Sequence, residues 1–135
     1  MRSDLSIRAD AFNKVKARYG GREFEWGKVD CIKVARYLAL EMGHKPPKMP
    51  RYSTQLGAIR AIKKMGFDSV EGLIASFFPK IPVAKALLAD LIVVPGEEGL
   101  DAVLISAGRW IYGFHEESDV LEFIISKNTG TAYRL

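Results

Sequence analysis

Hydrophobic periodicity changes once along this chain, and that change limits the fold more than any other feature. Up to about residue 78 the apolar residues recur at helical spacing; after residue 89 they come in short runs and alternations broken by Gly, Asn, Asp and Ser. Helices first and antiparallel strands second predict an α+β domain, with the helices packed on one face of a sheet. The 135 residues suit a single domain, 1–135, and a hydrophobic content of 48% supplies its core and argues against global disorder. No internal repeat, low-complexity segment or linker divides the chain.

Residues 4–19 place Ile7, Ala11, Phe12, Val15 and Tyr19 on one helical stripe, stopped by Gly20-Gly21. A turn runs to Asp30, and a helix follows from Cys31 to Gly43. Pro46, Pro47 and Pro50 make residues 44–51 an extended connection. Tyr52-Ser53 opens another helix, with Leu56, Ile59, Ile62 and Met65 as its stripe and Gly66 as its stop. Asp68 with Glu71 reads as a capping box for a short helix to about Phe78, after which Pro79 and Pro82 break the chain. Residues 90–94 read as a buried strand. Residues 101–106 and 109–114 read as a hairpin about Ala107-Gly108, and 120–125 and 131–135 as a second hairpin turned by 126–130.

The chemistry gathers at Phe24-Glu25-Trp26-Gly27-Lys28-Val29-Asp30-Cys31. Asp30 is a good N-cap, because its carboxylate can accept from the first-turn amides. Cys31 then falls at the positive end of the helix dipole, a position that favours thiolate over thiol. Such a cysteine can be a nucleophile, with backbone amides at hand for an oxyanion. It can equally be a core residue, since Cys31, Val34, Ala35, Leu38 and Met42 share one stripe and free cysteine is commonly buried.

One cysteine excludes an intramolecular disulfide, and with only two histidines, His44 and His115, far apart, no metal site and no cofactor is expected. The N-terminus has no signal-peptide core and no apolar run spans a bilayer, so the expectation is a protein made in the cytoplasm, with no membrane partner. The net charge of +4 permits an anionic partner. The basic residues Lys45, Lys48, Arg51, Arg60, Lys63 and Lys64 lack the interleaved aromatics of a single-strand binder, so nucleic acid is not expected and a solvated surface is. Phe24 and Trp26 read as anchors of the turn on the core.

The order of these features resembles the NlpC-type cysteine peptidases, compact papain-like enzymes of which many cut bacterial cell-wall peptides. The resemblance spans nearly the whole chain and rests on Trp26-Gly27, Asp30-Cys31, the strand entry Ala89-Asp90-Leu91-Ile92-Val93-Val94, where that family usually has Gly-Asp, and the strand pair 101–114. Closer still is a branch carried by phages and prophages, through Trp-Gly-x-x-Asp-Cys, Tyr52-Ser53-Thr54 and the ending Tyr133-Arg134-Leu135. The resemblance implies a papain-like α+β fold, a nucleophile at Cys31, a histidine at the start of the strand after the Asp-containing one, and a polar orienting residue on the next strand. Here the histidine's place falls at Leu100-Asp101-Ala102, and the third residue's near Tyr112-Gly113; neither is matched. Phe24 stands where a tyrosine often precedes Trp-Gly, and Ile32-Lys33 replace the usual small residues.

Two substitutes for the base are open. Asp101 stands at the histidine's place, but a carboxylate titrating near ~4 is a weak base for a thiol and as an anion disfavours a thiolate. His115, beyond the hairpin, could reach Cys31 if its strand shifted. His44 lies at the far end of the cysteine helix, where a C-terminal cap interaction is the better reading. The resemblance therefore leads to a catalytically degenerate phage-related protein acting in tail assembly or as an interaction module. The alternative is an active peptidase or amidase with an atypical base. Phage tail proteins or peptidoglycan peptides are the corresponding partners, and assembly into a virion the corresponding destination.

Overall fold

The computed structural model describes residues 4–96, 99–108, 110–115, 118–125 and 130–135. Among them, four helices precede all the strands: α1 (Asp4–Tyr19), α2 (Cys31–Glu41), α3 (Gln55–Lys64) and α4 (Val70–Phe77). The strands are β1 (Lys80–Ile81), β2 (Leu91–Val94), β3 (Ala102–Ala107), β4 (Trp110–His115), β5 (Ser118–Ile125) and β6 (Thr131–Tyr133). They form one antiparallel sheet in the order β1-β6-β2-β3-β4-β5. The domain is α+β, as the change of period predicts. No helix among the described residues is long and apolar enough to cross a membrane.

One core joins all four helices to one face of the sheet. Phe12 and Val15 of α1, Val34 and Leu38 of α2, Ile62 of α3 and Ile74 of α4 meet Leu91, Val93, Val103, Ile105 and Tyr133. Leu38 has no solvent exposure, and burying such a side chain stabilises the fold by about 1.5–3 kcal/mol. Strand alternation sends Ile92, Leu104 and Ala132 to the opposite face, where the segment carrying Ile81, Val83 and Ala86 packs on them.

Several expectations are corrected. The third helix begins at Gln55, with Thr54 as its cap, and Leu56 is exposed; Ala58, Ile59, Ala61 and Ile62 make the buried stripe. Ser69, rather than an Asp68–Glu71 box, caps α4, its hydroxyl accepting from Gly72 N. The short strand β1 and a 3₁₀ turn at Val83–Lys85 had no signal in the pattern. The second hairpin does not form. β5 pairs with β4 at one edge, whereas β6 inserts between β1 and β2. Residues 126–129 of its expected turn, 126–130, lie outside the described residues.

What draws β6 across the sheet is a buried ion cluster. Asp90, wholly buried, accepts from Arg8 Nη1 at 2.7 Å, Arg134 Nε at 2.9 Å, Leu87 N at 2.8 Å and Leu135 N at 3.0 Å. A buried carboxylate needs such a set of donors, and here they come from α1, the 82–88 segment and the end of β6. Ala89 beside it has φ +71°, the left-handed region that costs a residue with a Cβ about 1–2 kcal/mol.

Candidate active site

Asp30 has non-helical backbone, and its Oδ1 accepts from Lys33 N at 2.8 Å, which makes it the N-cap of α2. Its Oδ2 accepts from Gly27 N at 2.8 Å and from the Tyr52 hydroxyl at 2.7 Å. One fully buried carboxylate thus ties the Trp-Gly turn, the cysteine helix and the Tyr-Ser-Thr segment together. Gly27 has φ +81°, and a Cβ there would overlap the Tyr52 carbonyl oxygen, so the turn closes on Tyr52 only with glycine. Burial, the Asp30 charge and this hydrogen bond hold the Tyr52 phenol far above its usual value.

The turn is fixed from two sides. Glu25 and Val29 exchange backbone hydrogen bonds of 2.8 Å. The preceding residues hang on β5, where Leu121 exchanges hydrogen bonds with Gly21 and Arg22. That contact falls at a bulge, since β4 and β5 step from Gly113↔Glu122 to His115↔Ser118. Phe24 packs edge-on against Trp26 at 4.8 Å and Phe114 at 5.1 Å, and it is Phe114 that packs on the core.

Cys31 is the first residue of α2 and is half-buried. Its Sγ donates to the Asp101 carbonyl oxygen at 3.8 Å. Burial pushes the thiol up to about 11; the Val103 amide and the amides of Cys31 and Ile32 pull it down, and the Asp30 charge pushes it further up. The helix terminus therefore does not win here, because desolvation is larger. At neutral pH the group is a thiol.

Asp101 turns its carboxylate away from Cys31. It is buried rather than solvated, and its carboxylate accepts from Glu71 N at 2.8 Å and Gly96 N at 3.0 Å. It thus closes the first turn of α4 from outside that helix, while only its backbone carbonyl faces Cys31. Ala102, which lies between the Asp101 carbonyl and the Val103 amide that meet the sulfur, is exposed and carries no group able to move a proton. His115 ends β4, but its side chain lies outside the described residues. His44 closes α2 through its backbone N to Ala39 O at 3.0 Å, and its ring stacks edge-on against Phe78. Among the described residues no group of three or more His, Cys, Asp or Glu could hold a metal ion.

Asp30 and Tyr52, each prominent in the sequence, touch only in the folded chain. The signal was the co-occurrence of Asp-Cys and Tyr-Ser-Thr; the link between them is made across 22 residues. Arg8, Arg134 and Glu71, whose Oε2 accepts from the Tyr133 hydroxyl at 2.8 Å, were not foreseen as partners.

A family model described as "Domain of unknown function (DUF6950)" matches residues 5–135. No curated protein and no solved structure matches the chain.

Proposed function

We propose that this chain, which belongs to the DUF6950 family, is a catalytically degenerate papain-like domain of the NlpC type that works as an interaction module in phage tail assembly. The observation that carries the loss of catalysis is the surroundings of the Cys31 sulfur. Its partner is a backbone carbonyl, its thiol is pushed up to about 11, and the strand residue passing it is Ala102. A cysteine hydrolase needs a base that takes the thiol proton and returns one to the leaving group. Asp101 has both carboxylate oxygens committed to amides and cannot fill that role.

Support for the scaffold comes from its order and meeting points. A cysteine opens a helix that packs on an antiparallel sheet entered through a buried aspartate. Two of the sequence motifs behind the resemblance meet at Asp30, and the Tyr133-Arg134-Leu135 ending meets Asp90. The phage setting rests on the resemblance.

A hydrolase is the second reading, favoured by one observation. The β3–β4 register runs from Ala107↔Trp110 to Ile105↔Tyr112, and His115 ends β4, the strand beside the one whose Asp101–Val103 entry meets the Cys31 sulfur. Iodoacetamide labelling of Cys31 against pH, on the native protein and on His115→Ala, separates the two. The degenerate domain, its thiol raised to about 11, labels appreciably only well above the free value of ~8.5, with the substitution making no difference, and leaves cell-wall peptides intact. A reactive plateau reaching acid pH and abolished by His115→Ala would make His115 the base and the protein an enzyme.

A further inference from the structure

Beside the cysteine helix lies an apolar pocket of about 60 Å³, walled by Ile32 and Ala39 of α2, Leu73 and Phe77 of α4, and Pro47 and Met49 of the connection between α2 and α3. A water needs roughly 10–15 Å³ of such space. The pocket therefore takes a handful of heavy atoms, the size of one aliphatic side chain, and is too small for a cofactor. Phe77 is 41% exposed at its edge.

The charge on its α2 and 44–51 side is one-sided, while Asp68 and Glu71 lie at the start of the α4 wall. Between Cys31 and Gly66 the chain has eight Lys and Arg against a single carboxylate, Glu41, so this stretch carries +7 in a chain whose total is +4. Glu41 is itself paired with Lys14. Arg36 lines the pocket, and its Nε donates to the Pro47 carbonyl at a long 3.5 Å. Lys45 and Lys48 alternate with the lining residues Pro46, Pro47 and Met49 on the same connection, and both are exposed. Among the described residues neither these lysines nor Arg36 pairs with a carboxylate. An apolar pocket with a basic rim on that side fits an apolar anchor flanked by acidic residues, since burial of the anchor supplies affinity and the rim supplies orientation and rate.

We infer that this pocket docks an acidic peptide segment of a protein partner through a single aliphatic side chain, with Arg36, Lys45 and Lys48 reading the flanking carboxylates. The inference supplies the interaction module with a site, yet it stands apart from the state of Cys31, because binding needs no reaction at sulfur. Labelling of Cys31 tests the one, and peptide binding the other.

The probe is a fluorescein-labelled nine-residue peptide of glutamate and serine with one central leucine, followed by anisotropy. Binding should weaken at least ~10-fold when salt rises from about 50 to about 300 mM, as screening of an exposed rim requires. Replacing the leucine by serine should cost about 10-fold, the worth of one buried aliphatic group. Lys45→Glu with Lys48→Glu, both on the exposed rim, should abolish binding while leaving Tm and Cys31 labelling unchanged, and Leu73→Trp should fill the pocket and do the same. A lysine-for-glutamate peptide binding as tightly, indifference to the loss of the leucine, or no binding at millimolar peptide would overturn the inference. So would tight binding to phosphatidylglycerol vesicles or to duplex DNA without binding of the peptide, which would make the basic face a membrane or nucleic-acid surface.

Discussion

Replacing Tyr52 by Phe removes one hydroxyl and nothing else, and the structure fixes what that hydroxyl does. It donates at 2.7 Å to Oδ2 of a carboxylate with no solvent exposure. Hydrogen bonds to buried charged groups are worth about 1.5–3 kcal/mol. Gly27 N still donates to Oδ2 and Lys33 N to Oδ1 in the variant, so the loss should fall near the middle, about 2 kcal/mol. For a domain of 135 residues, an unfolding entropy of about 2.1 cal/mol/K per residue converts this to a fall in Tm of roughly 7 °C. The pH dependence adds a signature that a mere packing defect lacks. Burial and the Asp30 charge hold the folded phenol above its ordinary value, so it stays protonated when the unfolded phenol, near ~10, ionises. The stability carried by the phenol is complete below pH ~10 and is lost as pH rises from there, by about 1.4 kcal/mol at pH 11. The gap between wild type and Tyr52→Phe, measured by urea unfolding at pH 7 and pH 11, should therefore shrink from about 2 to about 0.6 kcal/mol. Other alkaline titrations are common to both proteins and cancel. A gap below ~0.5 kcal/mol at pH 7, or one that does not change with pH, would refute the role given to the Asp30–Tyr52 bond.

The remaining expectations concern the supports of the site. Ala89→Gly relieves a left-handed alanine worth about 1–2 kcal/mol but loses a buried methyl and gains backbone freedom, so urea unfolding should find it within about 0.7 kcal/mol of wild type; Ala35→Gly, in the middle of α2, should cost about 1.5–2 kcal/mol, and equal costs at the two positions would contradict this account. Asp90→Ala leaves the buried Arg8 with only the exposed Asp4 as a carboxylate partner and should cost about 3–5 kcal/mol, part of it recovered by adding Arg8→Met, with no recovery counting against the ion cluster. Asp101→Ala should lower stability by about 1–3 kcal/mol through the amides of Glu71 and Gly96 while leaving the pH profile of Cys31 labelling where it was; a shifted profile would restore Asp101 to the chemistry. Because the Cys31 thiol is raised to about 11 by burial, its contribution to stability is complete below pH ~9 and lost between pH ~9 and ~11, and Cys31→Ala should flatten unfolding free energies over that window.

Much of the fold was legible before any coordinates. Local signals sufficed for α1, whose bounds match the stripe from Ile7 to Tyr19, and for α2, because an Asp N-cap acts on amides within three residues of itself. The β3–β4 hairpin was legible for the same reason, since Gly108 at φ +75° lies inside the turn it makes. Partner choice was not. The 131–135 strand is no better matched to β5 than to β2 by its own residues; Asp90 and Arg8, far away in the chain, decide it by needing Arg134 and Leu135 N. Asp101 shows the same limit at the site. Its place beside Cys31 is what the resemblance implies, but the direction of its carboxylate, onto Glu71 and Gly96 and away from the sulfur, is set by where α4 docks. The sequence by itself determined that a cysteine would open a helix packed on an antiparallel sheet, because capping and periodicity are local. Only the tertiary structure decided that this cysteine would rest as a thiol, because desolvation and the identity of the neighbours that face it are properties of the packed chain.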